Sequence, residues 1–531
     1  MEITSIEFLL FAAVCIGVYL VLPKKVQWIF LLAASLVFYM TSGVGYTLIY
    51  VIVSVLSVYL ATIFFEKIDR AESVKNKNGL KKLIMLVALL ENLGVLAVLK
   101  YTNLGIEIIN WFSEKSIGAY IFEPVSYVAP IAISYYTLQL IAYLLDCYWK
   151  TIEAEKNFGR LFLYAIYFPQ MVSGPISRYK EIGTQLFEEH RFDYERIKKG
   201  LIRMAYGFFE KLAVAGPLST IVSTMYDNLG RFNGVYIWAL ILLFPLELYA
   251  DFKGCMDIIL GISECIGIHL PENFNAPFFS KSVQEFWQKW HMSLGHFLRD
   301  YIMTPILMSK PMKKLGKWAK EKFGRKEGKK IPSYFGLFAV WTCMGIWHGS
   351  GVKFIIGEGW WFFAIIFLSE VTEPIFKKIK SNKKSNGVKS VGDKKSEDNN
   401  SIGENKIADG FRVIRTIILF AIGNVFFIAK DMSQALQVFR QAFDLKWIRP
   451  QEAFIRLQLD RGLNHFTGVV ILILGIILMT FFEYMQHRGR DFRDVLSGWK
   501  AIPRWGVYIL MVSVSVIYMF GNVTTFIYQG F

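Results

Sequence analysis

Tyr46-Thr-Leu-Ile-Tyr-Val-Ile-Val-Ser-Val-Leu-Ser-Val-Tyr-Leu-Ala-Thr-Ile-Phe-Phe65 runs through twenty positions without one charged residue. About 20 mostly apolar residues in a helix cross the hydrocarbon core of a bilayer, so this stretch predicts a transmembrane helix. Similar runs recur on both sides of it: Phe8–Leu22, Trp28–Met40, Leu83–Leu99, Tyr127–Leu145, Phe158–Val172, Met204–Met225 and Val235–Ala250. Further along come Tyr334–Trp347, Phe354–Leu368, Ile414–Phe427, Phe466–Phe482 and Trp505–Met519. They provide material for roughly eleven to thirteen crossings or partial crossings, the shorter ones tilted, re-entrant or interfacial. The expected fold class is an all-α polytopic membrane protein.

Composition agrees, with 54% hydrophobic, 16% aromatic and only 19% charged residues in 531. The first apolar segment lacks the basic leader and small-residue cleavage site of a signal peptide, so it is expected to be a retained helix. The net charge of +16 does not indicate nucleic acid, because the Lys and Arg residues sit in short loops between apolar segments, where membrane orientation accounts for them. Met1–Glu7 holds no Lys or Arg, whereas Lys24, Lys25, Lys67, Arg70, Lys75, Lys77, Lys81 and Lys82 follow the first and third segments. The positive-inside rule therefore places the N-terminus outside and those loops in the cytoplasm of a cell membrane.

Lys310–Lys330 sets lysines at helical spacing around Leu315 and Trp318, which predicts an amphipathic helix on the inner leaflet. Lys377–Lys406, rich in Lys, Ser, Asn, Asp and Gly, has the composition of a disordered linker. It divides the chain into a core over 1–373, a basic cytoplasmic linker over 374–409 and a C-terminal transmembrane block over 410–531. Cys15, Cys147, Cys255, Cys265 and Cys343 show no CxxC spacing. Neither a disulfide framework nor a metal site is expected, and each cysteine is best taken as a small buried hydrophobe.

The chemistry concentrates in two places. Glu285-Phe-Trp-Gln-Lys-Trp-His291-Met-Ser-Leu-Gly-His296-Phe-Leu-Arg299-Asp300-Tyr301 has no helix breaker but Gly295. It is expected to be largely helical, with Trp287 and His291 at i, i+4 on one face and His296 pointing elsewhere. Gly345-Ile-Trp347-His348-Gly349-Ser-Gly351 puts a second histidine at the end of an apolar run, before glycines that let backbone or a substrate approach closely. An ionisable group at membrane depth is costly unless it is paired or lines a wet cavity, so His291 and His348 are candidate functional residues. His190, His269, His296, His465 and His487 are taken as ordinary packing or surface residues.

Beyond composition and spacing, the chain resembles the membrane-bound O-acyltransferases. The resemblance rests on Glu272-Asn-Phe-Asn-Ala-Pro-Phe-Phe-Ser280, Phe286-Trp-Gln-Lys-Trp-His-Met-Ser-Leu294 with Leu298-Arg-Asp-Tyr301, and Gly345-Ile-Trp-His-Gly-Ser350. Pro130–Gln139, Phe168–Arg178 and Leu248–Gly254 add to it, and Val425–Leu436 is similar to the C-terminal extension of the alginate O-acetyltransferase (AlgI) type. A D-alanyl transferase (DltB) type is the second likeness. The chain departs from the family pattern at Val352, Gly357-Glu358, Trp361-Phe362, Asn424 and Ile428.

The resemblance implies a ring of tilted helices around a central funnel or tunnel. It further implies transfer of an acyl group, acetyl foremost, from a cytoplasmic thioester such as acetyl-CoA or an acyl carrier, with no bound cofactor. The acceptor is expected to be a cell-surface polysaccharide hydroxyl or an extracytoplasmic partner acetyltransferase. A neutral imidazole can take the hydroxyl proton during attack on the thioester. His348 is the candidate base and His291 the candidate for orientation or oxyanion stabilisation, although spacing does not decide which does which. Trp287, Trp290, Ser293, Trp347, Asn273 and Asn275 are candidate tunnel-lining residues. Arg299, Asp300 and Asp251 are expected to be structural partners. The competing function class is a transporter or flippase gated by the same histidines, but no matched pair of interrupted helices favours it.

Overall fold

The computed structural model describes residues 1–171, 174–385, 397–444 and 466–521. Among them the chain is helical, and its extended pairing is a single bridge between Phe274 and Trp290. Among the described residues, eight helices are long and apolar enough to cross a membrane: Lys24–Ser42, Gly45–Arg70, Lys77–Ile117, Val235–Ile266, Val352–Glu373, Lys406–Ile428, Gly468–His487 and Ala501–Phe520. Ile6–Val21 is a shorter apolar helix. The lipid-facing sides of these helices carry the exposed Leu, Ile, Val and Phe side chains that water would not tolerate in such number. This is an all-α, multi-pass membrane protein.

Several expected segments are interrupted. Tyr127–Leu145 becomes helical only from Ile133, after a stretch without regular structure that ends at Pro130. The Phe158–Val172 segment splits at Tyr167 into Phe158–Ile166 and Phe168–Met171, and Val172 lies outside the described residues. Met204–Met225 runs through the π-helix Glu210–Ala215, which joins Tyr194–Phe209 to Gly216–Asp227. Lys310–Gly328 is helical as its charge spacing suggests, apart from a break at Gly324, whose φ of 81° a residue without Cβ adopts freely.

The core is organised by close contact between Tyr194–Phe209 and Val235–Ile266. A Cβ placed on Gly207 would meet the Gly254 carbonyl oxygen at 2.6 Å, and one on Gly200 would meet that of Gly261 at 2.7 Å. The reciprocal positions, Gly254 and Gly261, are equally tight, at 2.8 and 2.6 Å from the carbonyls of Gly207 and Gly200. Small residues seven apart on each helix thus let two backbones touch, the usual means of packing helices where lipid supplies no hydrophobic drive. Beside this contact a chain of charges neutralises itself: Lys253 bonds Glu210 at 2.9 Å and Asp257 at 2.7 Å, and Arg203 spans Asp257 and Glu272.

The centre of the 374–409 linker, residues 386–396, lies outside the described residues; the helices Trp361–Ser385 and Glu397–Ile428 enter it from either side. The second of these helices packs into the core. Phe420 lies 5.8 Å from Trp287 and 5.1 Å from Trp290, and Phe427 lies 5.6 Å from His348. Residues after the linker therefore wall the same region as the two histidine motifs.

Candidate active site

The Glu285–Tyr301 stretch is not one helix. Val283–Lys289 and Met292–Leu298 are separate, and Gly295, the expected breaker, sits inside the second. Between them Trp290 is extended and His291 takes φ 48°, ψ 50°, the left-handed region that costs a residue with Cβ roughly 1–2 kcal/mol. Trp287 and His291 consequently do not share a helix face.

The break is imposed by the Glu272–Ser280 loop. Asn275 N–H donates to the Lys289 carbonyl at 3.0 Å, and the Asn273 carbonyl accepts from Met292 N–H at 3.0 Å. The Asn273 side chain accepts from Ser293 N–H at 2.9 Å and donates to Met256 Sδ at 3.3 Å. Ser293 Oγ in turn accepts from Ile176 N–H at 3.0 Å. Asn273 and Ser293 are buried and engaged in holding this turn, whereas the Asn275 side chain is exposed.

His348 closes the helix Lys330–His348. Gly345 admits backbone, since a Cβ there would fall 2.7 Å from Ile355 Cα, and Gly349 admits the Phe354 ring. The close approach that these glycines allow is thus made by the chain itself. Lys100 and Tyr101, adjacent on the Lys77–Ile117 helix, finish the helix end: Lys100 Nζ donates to the Trp347 carbonyl at 2.7 Å and Tyr101 Oη to the Ile346 carbonyl at 2.9 Å. Lys100 also reaches Ser134 Oγ at 3.2 Å. A cation at a helix C-terminus complements the last carbonyls and the helix dipole. Lys353 does the same for the helix ending at Ile428, donating to the carbonyls of Phe427 and Ala429.

These two constructions bring the histidines together. The Trp347 ring lies 5.4 Å from the His291 ring and 5.3 Å from the His348 ring, edge-on to both, with Tyr135 packed against it at 5.6 Å. His291 is 1% and His348 2% exposed. Phe252 covers His291 at 4.9 Å and Phe427 covers His348. Neither ring nitrogen of His291 has a hydrogen-bond partner among the described residues. Trp287 belongs to a neighbouring aromatic cluster with Trp341 and Phe362, and Trp290 to one with Tyr249, Phe274 and Phe286.

The charged candidates are held in ion pairs. Asp300 is held by Arg178 and, at 2.9 Å, by Arg299. Burial pushes its carboxyl upward, but hydrogen bonds from Arg299 and Arg178 keep it below the ordinary value. Asp251 pairs with Lys211. Among the described residues no group of three or more His, Cys, Asp or Glu could hold a metal ion.

A model of the membrane-bound O-acyltransferase family matches residues 156–319, which include the His291 turn and the loop that clamps it. Over these residues the chain is similar to the membrane-bound O-acyltransferases. A probable alginate O-acetylase AlgI of Pseudomonas syringae pv. tomato is 27% identical over 357 residues, 67% of this chain and 64% of that protein. A peptidoglycan O-acetyltransferase of Helicobacter pylori is 28% identical over 356 residues, 62% of each. A teichoic acid D-alanyltransferase of Bacillus subtilis is 28% identical over 241 residues, 44% of this chain and 57% of that one. The chain thus spans a little under two thirds of the length of the first of these relatives.

Lys100, Tyr101, Phe252, Tyr135 and Phe427 surround the histidines, although none stands among the candidate site residues expected from sequence. Tyr135, Phe252 and Phe427 fall within the stretches Pro130–Gln139, Leu248–Gly254 and Val425–Leu436 that carry the resemblance, and Lys100 is the lysine that ends the apolar run Leu83–Leu99.

Proposed function

We propose that the chain is an integral-membrane O-acyltransferase. It takes an acyl group, acetyl first, from a cytoplasmic thioester and passes it to a cell-surface polysaccharide hydroxyl or to an extracytoplasmic partner transferase. The observation that carries this reading is the meeting of His291 and His348 across Trp347, in a buried aromatic setting within a membrane protein. The relatives named as O-acetyltransferases support the same class.

In the proposed reaction, His348 accepts the acceptor's hydroxyl proton as its oxygen attacks the thioester carbonyl, forming a C–O bond. His291 orients the carbonyl or donates to the oxygen that becomes negative. The C–S bond then breaks and the leaving thiolate takes the proton. No charged side chain is required to move, which suits a site from which water is excluded.

The test is the O-acetyl ester content of surface polysaccharide in cells carrying the wild-type chain, His348→Ala or no copy, with membrane levels matched. Restoration by wild type alone is expected, and equal restoration by His348→Ala would remove His348 from the mechanism. If wild type changes no acetyl ester, ester-linked D-alanine is measured next, since a relative is named as a D-alanyltransferase.

A further inference from the structure

The Lys77–Ile117 helix has 41 residues. At 1.5 Å per residue it is about 60 Å long, against a bilayer of about 40–45 Å including headgroups. Its start carries Lys77, Lys81 and Lys82 and its far end Glu107 and Glu114 with Lys115. The positive-inside rule therefore puts the surplus length on the outer side.

There the chain folds back and is strapped to the helix by two asparagines. Asn110 Oδ1 accepts from the N–H groups of Ile121 and Phe122 while its Nδ2 donates to the Phe122 carbonyl. Asn103, two turns earlier, makes the same two-sided contact with the N–H and carbonyl of Val125. Between strap and helix lies an open cleft of about 320 Å³, lined by Glu107, Trp111, Glu114, Tyr120 and Pro124 with the two asparagines.

We propose that this cleft binds an uncharged glycan chain, the outer part of the acceptor path; the assignment of acceptor rests on the acyltransferase reading above. Trp111 and Tyr120 are half or more exposed, and such amphipathic rings suit a ligand that is apolar on one side and hydroxylated on the other. Glu107 and Glu114 make no ion pair among the described residues and are free to accept hydroxyl hydrogens. Lys115 stands 3.9 Å from the Trp111 ring centroid, and with Glu107 and Glu114 in its lining the cleft is net acidic. That balance repels a uronate and tolerates a neutral sugar.

The cleft also points at the site. It begins one helical turn beyond Lys100, which touches Trp347. Along the helix, Glu107 and Glu114 are about 10 and 20 Å from Lys100.

The test is direct binding without chemistry. The full chain in nanodiscs is titrated with cellohexaose, chitohexaose and a mannuronate hexamer, followed by saturation-transfer NMR. Binding of at least one neutral hexamer in preference to the uronate is expected, weakened about tenfold by Trp111→Ala or Tyr120→Ala and unchanged by His348→Ala. Binding that survives both aromatic substitutions, preference for the uronate, or no binding of either neutral hexamer would overturn the proposal. Cleft-dependent binding in a chain that restores no surface ester would retain the glycan site and fail only the acyltransferase reading.

Discussion

Replacing Asn273 by Ala is expected to disable the site while sparing the fold. The substitution keeps the backbone bond from Met292 N–H but leaves Ser293 N–H, on a residue 4% exposed, without its acceptor. An orphaned buried donor costs about 1–3 kcal/mol. The clamp opposes the left-handed strain at His291, itself roughly 1–2 kcal/mol, so its loss lets the turn relax toward helix and swings the imidazole off Trp347. With about 1.4 kcal/mol to each factor of ten, transfer should fall by about 10- to 100-fold. The matched control is Asn275→Ala: its side chain is exposed and its N–H to Lys289 survives the change. Surface ester formed per unit of membrane-inserted protein, with the thermal unfolding midpoint measured in parallel, compares the two. Equal activity of the two variants, both folded, would refute the idea that Asn273 holds His291.

Lys100→Met should remove a charge-assisted bond of about 1.5–3 kcal/mol to the Trp347 carbonyl, lowering acyl-transfer kcat at least several-fold with donor KM less affected. Lys100→Arg should recover much of the loss, and a fully active Met variant would deny Lys100 any positioning role. Gly207→Val should fail to accumulate as folded protein by size-exclusion chromatography, because even its Cβ meets the Gly254 carbonyl at 2.6 Å and overpacking of this kind costs about 1–3 kcal/mol or more. A normally eluting, stable variant would show that the two helices can separate. His190, whose Nδ1 is 2.8 Å from the Tyr19 hydroxyl, is held below its ordinary pKa by burial and by Arg196. The unfolded chain then takes up this proton near pH 6.5 while the folded chain does not, so stability is full above that pH and declines as pH drops toward the folded value. Unfolding midpoints between pH 7.5 and 5 should fall more steeply for wild type than for His190→Gln, and parallel curves would exclude the residue.

What the sequence by itself determined is what single segments decide. Twenty uncharged positions from Tyr46 to Phe65 cross a bilayer because no other state satisfies their backbone and side chains there. His291 and His348 stood out because an ionisable group in apolar, aromatic sequence carries a cost that needs a reason. Tertiary structure alone decided where segments stop and what they meet. The helix through Trp287 and His291 looked continuous because local propensity cannot register Asn273, eighteen positions upstream, whose hydrogen bonds force the chain into a left-handed turn. Nor could hydropathy show that Lys100 would finish the helix bearing His348, or that Phe427, beyond a polar linker, would cover that histidine. Burial and periodicity are properties of one helix at a time; a site built from widely separated stretches exists only once their side chains compete for the same few ångströms.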